Sequence, residues 1–210
     1  DPAFQRTREN GSEFGRAGKG GKLIRNTMRV LLEQAKDKRL TSRLTKDLLA
    51  VVKTDAINDR GLRTIQDGDM SMLLGFEFNI NGKLSATLHA VNTVAFDRVS
   101  GDASLSLAPF SPKKRIAAPR GTTHFKLVTG AAEIDFAAET FTFSDDETAV
   151  LPYNKAATAL IDLTATVTAN SVLPVFQVVG VEFYQEVNGQ MYSLKNGTYN
   201  ALAISIVDVV

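Results

Sequence analysis

Apolar residues recur at helical spacing from Lys22 onward. Leu23, Ile24, Thr27, Met28, Leu31 and Ala35 share one side, with Lys22, Arg25, Asn26, Arg29, Glu33 and Lys36 on the other. That pattern predicts an amphipathic helix with a cationic face. A second stripe, Leu44, Leu48, Val51 and Val52, follows a Thr41 or Ser42 N-cap and predicts a second helix, giving a helical pair over 22–57. Beyond a linker at 58–68 the period shortens to two. Phe76, Phe78 and Ile80 alternate with Glu77 and Asn79, and Asn81-Gly82 then supplies the residue pair a type I′ hairpin favours before a returning strand at 83–90. Further strands are predicted at 94–99, 104–107, 122–129, 139–143 and 157–168. A last group runs through 175–187, the turn Asn188-Gly189, 190–194 and the turn Asn196-Gly197 into 202–210. Many short strands punctuated by turns predict an antiparallel β-sandwich over 70–210. The final segment is apolar on both faces, which predicts a strand buried on both sides.

The first 21 residues break these patterns. They hold five glycines and the cations Arg6, Arg8, Arg16 and Lys19, with Phe4 and Phe14 as their large apolar side chains. Such a segment lacks the apolar surface to offset its own ordering, which predicts a flexible basic arm over 1–21. The expected fold class is therefore α+β: an N-terminal arm and a helical pair followed by an antiparallel β-sandwich, in one structural domain of 210 residues. With 44% hydrophobic and 22% charged residues the composition is that of a globular chain, not a disordered one.

The net charge of +1 hides a division. Residues 1–63 carry 15 Lys and Arg against 8 Asp and Glu, whereas residues 64–210 carry 9 against 15. The two parts are electrostatically opposite. The absence of cysteine removes disulfides, thiolate chemistry and Cys-based metal sites. No apolar run is long enough to predict a membrane span. Whether a leader precedes Asp1 stays open.

The glycine-rich stretch at 14–26 invites comparison with a phosphate-binding loop. Aligned on Gly21-Lys22, it places Arg16 where the first glycine is required and Leu23 where the magnesium-binding hydroxyl is required, and no strand precedes it. His89 and His124 are the two histidines, and neither accompanies a nucleophile elbow. Ser144-Asp145-Asp146-Glu147 and Asp67-Gly68-Asp69 read as solvated acidic turns, since a calcium loop's ligand spacing is missing. Pro112-Lys113-Lys114-Arg115 reads as an exposed basic loop. No catalytic, metal or cofactor residues are assigned, and the chain is expected not to be an enzyme.

Two functions fit this layout. The favoured one is a structural subunit that assembles with copies of itself into a tube, filament or shell, its cations meeting the acidic balance of a neighbour. Its expected contact residues are Phe4, Arg6, Arg8, Phe14, Arg16 and Lys19 on the arm, with Leu202, Ile204 and Ile206 on the terminal strand. In layout alone, a basic arm joined to a β-rich body looks like virion shell and tube subunits, which favours an extracellular or virion-like setting over the cytoplasm. The alternative is nucleic-acid binding through Arg16, Lys19, Lys22, Arg25 and Arg29, a basic face suited to a phosphate backbone. No small-molecule substrate is indicated.

Overall fold

A computed structural model describes residues 4–35 and 37–210, so the expectations placed on residues 1–3 and on Lys36 lie outside the described residues. The order of elements is helices first and strands after. Helix α1 spans Gln5–Thr27, α2 spans Arg29–Gln34 and α3 spans Leu40–Thr54. A 3-10 turn at Met70–Leu73 and the one-turn helix α4 at Leu84–Thr87 lead to strands β1 (Asn92–Asp97) and β2 (Asp102–Leu107). The one-turn helix α5 (Pro112–Arg115) follows, then β3 (His124–Asp135), β4 (Thr140–Glu147), β5 (Leu151–Pro152) and β6 (Ile161–Thr166). The chain ends in β7 (Val175–Val187), β8 (Gln190–Ser193) and β9 (Ala201–Asp208). The fold is mixed α+β with antiparallel sheets.

The long strand β7 organises the larger, six-stranded sheet. It pairs with β3 on one side and with β8 and β9 on the other, while β4 and β5 extend the far side of β3. The smaller sheet has the order β1-β2-β6. Alternate residues of the central strands serve two different cores, which explains why these strands read as continuous apolar runs. Val128, Ala132, Ile134, Phe176, Val178, Leu202 and Ile204 pack against Ile24, Met28, Leu44, Leu48 and Val52 of the helices. Their neighbours Phe125, Leu127, Val179, Val181 and Phe183 pack against Leu105, Leu107, Ile161 and Leu163 of the smaller sheet. The helices therefore cover one face of the six-stranded sheet and the three-stranded sheet covers the other. A β-bulge shifts the register of β9 between the partners of Gln177 and Val178, so Ile204 and Val207 both reach the helical core although they are three residues apart.

Residues 5–21 do not form the expected flexible arm. They are the first turns of α1, and the helical stripe that was expected to start at Lys22 extends back through Glu13, Ala17, Gly20 and Gly21, all buried. What lies beside these two glycines accounts for the glycine at position 20 but not at position 21, where a methyl group would make ordinary contact. A side chain on Gly20 would overlap the Ile65 side chain, and one on Gly21 would stand 3.5 Å from Leu48.

The hairpin expected around Asn81-Gly82 is also absent. Residues 75–78 instead run along the outer edge of β9, with Gly75 N donating to Ile204 O at 2.9 Å, Phe78 N to Leu202 O at 2.8 Å and Ile204 N to Phe76 O at 3.0 Å. Asn79 is buried and donates to the carbonyls of Thr198 and Asn200. The Glu77 carboxylate then accepts from the backbone N–H groups of Leu84 and Ser85, starting α4 where a strand was expected. Tertiary hydrogen bonds override the local turn signal. By contrast, Asn188-Gly189 does turn a hairpin, β7 into β8, with φ of 51° and 77°. The presumed acidic turn at 144–147 lies inside β4, and Pro112–Arg115 forms the turn of helix α5 with Pro112 buried.

Candidate functional site

The junction of α1 with the loop at 55–69 shows how the basic N-terminal segment is held. Glu13 is 1% exposed and its carboxylate accepts from Gly61 N at 2.8 Å and from Arg63 Nε and Nη2 at 2.7 and 2.8 Å. The bidentate Arg63 bond is the main cause that holds the Glu13 pKa below its ordinary value, against the opposing effect of burial. One turn later, Arg16 donates to the carbonyls of Arg63 at 3.0 Å and Gly61 at 2.6 Å. The same loop is pinned from within by Asp55. Burial works to raise that carboxyl's pKa, but bonds from Asn58 N, Asn58 Nδ2, Thr64 N and Ile57 N outweigh it and hold it far below the usual carboxylate range.

This geometry redistributes the expected contact residues. Arg16 is half-buried, uses two of its N–H donors on carbonyls of its own chain, and lines the cleft beside α1. Leu202 and Ile204 are each 1% exposed in the helical core, so they cannot meet another molecule without unfolding. Ile206 is half-buried. Phe4 and Phe14, at 60% and 58% exposure, do stand on the surface, as do Arg6, Arg8 and Lys19. Helical geometry separates Arg6 from the others: Phe4, Arg8, Gly11, Phe14, Gly15, Gly18, Lys19 and Lys22 fall along the outward side of α1, whereas Arg6 falls on the side of Glu13 and Ala17. Lys19 lies 3.9 Å from Glu139, and both side chains are well exposed. Of the remaining cations in the alternative set, Lys22 is exposed, Arg25 is half-buried and Arg29 pairs with Glu33 at 3.1 Å.

Three glycines on this outward side have no counterpart in the protein's own packing. A side chain added at Gly11, Gly15 or Gly18 would meet nothing within 4 Å. Glycine in a helix interior costs about 1 kcal/mol relative to alanine, so the stripe carries a penalty that no contact within the described residues explains.

The opposite side of the molecule presents a second unusual surface. The register of the smaller sheet aligns Thr93, Ser106 and Asp162, then Ala95, Ser104 and Thr164, then Asp97, Asp102 and Thr166. In each strand these alternate with the more deeply buried residues facing the larger sheet. The aligned outward positions are thus mostly small side chains and bear three carboxylates, Asp97, Asp102 and Asp162, with no cation among them. Sequence reading missed this face because its signal is the polar half of each alternation, which looks like ordinary solvated surface. Glu13 and Arg63 were missed because they lie 50 residues apart in sequence.

The remaining candidates are dispersed. His89 is exposed after α4, and His124 starts β3 with Nδ1 3.0 Å from Thr123 Oγ1 and Nε2 4.0 Å from Glu186. Among the described residues no group of three or more His, Cys, Asp or Glu is placed to hold a metal ion, and no helix is long and apolar enough to cross a membrane. A cleft of about 460 Å³ lies between α1, the 55–69 loop and the β3–β4 turn, with Leu23, Ile65 and Phe136 among its apolar residues and Lys19 and Glu139 among its charged ones. Compared with family models, curated proteins and solved structures, the chain matches none.

Proposed function

We propose that this protein is a non-enzymatic structural subunit, its body a β-sandwich, that associates head to tail with copies of itself. The outward face of α1 would seat on the acidic face of the β1-β2-β6 sheet of the next copy. The observation that carries the reading is the opposition of these two faces: a basic helix face with glycines and two exposed phenylalanines on one side, an acidic sheet face of small side chains on the other. Glycines at 11, 15 and 18 permit close approach of a neighbouring backbone, and Phe4 and Phe14 supply apolar anchors beside them. Lys19 and Lys22 would orient the contact against Asp97, Asp102 and Asp162. Because the two surfaces differ, the contact is heterologous and propagates into a ring or an open filament. This replaces the flexible arm with a rigid helix as the assembling element.

Sedimentation velocity across concentration and salt tests the reading. The mass is expected to grow with concentration and to fall as salt rises. Lys19→Glu/Lys22→Glu and Asp97→Asn/Asp162→Asn variants should each be monomeric, and their mixture should give a discrete dimer, since each retains one intact face and the two altered faces do not attract. A wild-type chain that stays monomeric at high concentration and low salt would overturn the proposal.

A further inference from the structure

The cleft between α1, the 55–69 loop and the β3–β4 turn has a volume of about 460 Å³, within the roughly 300–1,000 Å³ of sites that take small organic molecules. Its apolar side is built by packing. Leu23 of α1 and Ile65 of the loop are buried there, and the half-buried ring of Phe136 is held at right angles to Phe176, with centroids 6.3 Å apart. Gly20 lets these groups close on the helix: a side chain there would overlap Ile65 and stand 3.6 Å from Phe136.

The charged residues of the cleft fall into two kinds. Lys19 and Glu139 answer each other at 3.9 Å on the exposed rim. Arg16 and Asp67 do not: among the described residues neither takes part in an ion pair. Arg16 uses two of its N–H donors on the carbonyls of Arg63 and Gly61, and its Nε has no acceptor and is not sealed from solvent. Asp67 Oδ2 accepts from Asn58 Nδ2 and Thr64 Oγ1, each at 2.8 Å, and Oδ1 accepts from no described residue. The two charges are neighbours, since Arg16 holds the carbonyl of Arg63 and Asp67 the hydroxyl of the next residue, Thr64. A cation and an anion thus stand near each other in one cleft, each tied to neutral groups and neither meeting the other.

From this arrangement we infer that the cleft is a binding site for a free α-amino acid with an apolar side chain. Its carboxylate would lie toward Arg16, its ammonium toward Asp67, and its side chain against Leu23, Ile65 and Phe136. An α-amino acid carries its two charges and its side chain on one carbon, which matches two unlike charges beside an apolar floor. A simple anion would answer Arg16 and be repelled by Asp67, and an uncharged apolar molecule would desolvate both without compensation. The site goes beyond the association reading above: every group belongs to one copy, and Lys19 on the rim is the residue shared with the proposed contact.

The test is calorimetric titration of L-phenylalanine into wild-type chain at a concentration where it sediments as a monomer, with amide NMR shifts to locate the site. Saturable binding is expected, with shifts confined to residues 16–23, 61–67 and 136–139. N-acetyl-L-phenylalanine lacks the ammonium, L-phenylalaninamide lacks the carboxylate and glycine lacks the side chain, and each should bind roughly tenfold or more weakly. Asp67→Asn should abolish the preference over the N-acetyl derivative, and Arg16→Met the preference over the amide. Arg16→Met also loses two bonds to the loop, so Ala137→Phe, at an exposed position on the cleft wall, serves if that variant does not fold; its ring should fill the cleft and remove binding. No saturation, equal binding of the acetylated or amidated derivative, or unchanged binding in Asp67→Asn and Ala137→Phe would overturn the assignment. A chain that never associates but binds L-phenylalanine in this pattern would remove the association reading and leave this one standing.

Discussion

Replacing Gly11, Gly15 and Gly18 together by alanine separates the fold from the function proposed for it. All three lie inside α1, away from its ends, and at each the added methyl group enters open space with nothing within 4 Å. None has a backbone conformation that only glycine adopts, since none is among the positive-φ residues. Each substitution therefore gains helix propensity and narrows the unfolded ensemble at no steric cost, worth about 0.5 to 1 kcal/mol apiece. Three such substitutions together should gain roughly 1.5 to 3 kcal/mol. For a chain of this length that corresponds to a rise in Tm on the order of 4 to 10 °C.

The same three methyl groups would fill the groove that a neighbouring copy is proposed to enter. Association should weaken while the monomer becomes more stable. Sedimentation velocity measures the first effect and urea unfolding at low concentration the second. A triple variant that is less stable than wild type would refute the account of α1 as a helix with an open outer face. One that gains stability and assembles unchanged would leave the helix standing and remove the glycine stripe from the contact.

Glu13→Gln keeps the shape of the side chain but removes the charge that meets Arg63, and breaking a buried ion pair on one side should cost about 3 kcal/mol, read as a lower urea midpoint with an unchanged slope. Gly68→Ala should destabilise by roughly 2 kcal/mol or more, because its methyl group would collide with the backbone carbonyl of Val51, which cannot swing aside, so a neutral result would show that the 55–69 loop is looser than described. Glu13, Asp37 and Asp55 all have lowered pKa values in the folded chain, so the stability they contribute is complete above the ordinary carboxylate range near pH 4 and is lost as pH falls through their folded values. Asp145 has the opposite sign, raised first by burial and then by Glu147 and Asp146, so Asp145→Asn should be more stable than wild type at pH 7 and lose that advantage in acid. Urea midpoints between pH 7 and pH 3 check both statements, and a wild-type midpoint that rises on acidification would contradict the first.

The order of helices before strands, and the positions of β1 to β4 and β6 to β9, were legible because period and turn chemistry agree there. Val175–Val187 with its Asn-Gly turn is the clearest case. The last strand's apolar run correctly signalled burial on two sides, but it could not say that both sides belong to the same molecule. Two failures share a cause. The glycine-rich stretch looked too polar to fold, and Asn81-Gly82 looked like a hairpin, because in both places the decisive partners are remote: Arg63 and Gly61 for Glu13, Thr198 and Asn200 for Asn79. A buried carboxylate on a polar segment leaves no periodic trace. Of the surfaces proposed to associate, Phe4 and Phe14 were visible from sequence as apolar residues without a stripe to join. The acidic sheet face was not, since it emerges when three separate strands are aligned in register.

The division of charge along the chain also changes meaning once the fold is known. Much of the basic excess before residue 64 is used internally: Arg63 and Arg60 meet Glu13 and Glu9, Arg43 meets Asp37, and Arg16 meets carbonyls. The cations of the first helix that stay exposed are concentrated on its outer side, and the carboxylates of the smaller sheet lie on the opposite surface of the molecule. A chain whose opposite charges were needed only to hold its helices on its sheet would place the acidic residues beneath the helices, where instead Val128, Ala132 and Ile134 form an apolar bed. The carboxylates of the smaller sheet therefore play no part in holding the helices on the larger sheet, and of the outer-face cations Lys19 has an acidic neighbour within its own copy, Glu139.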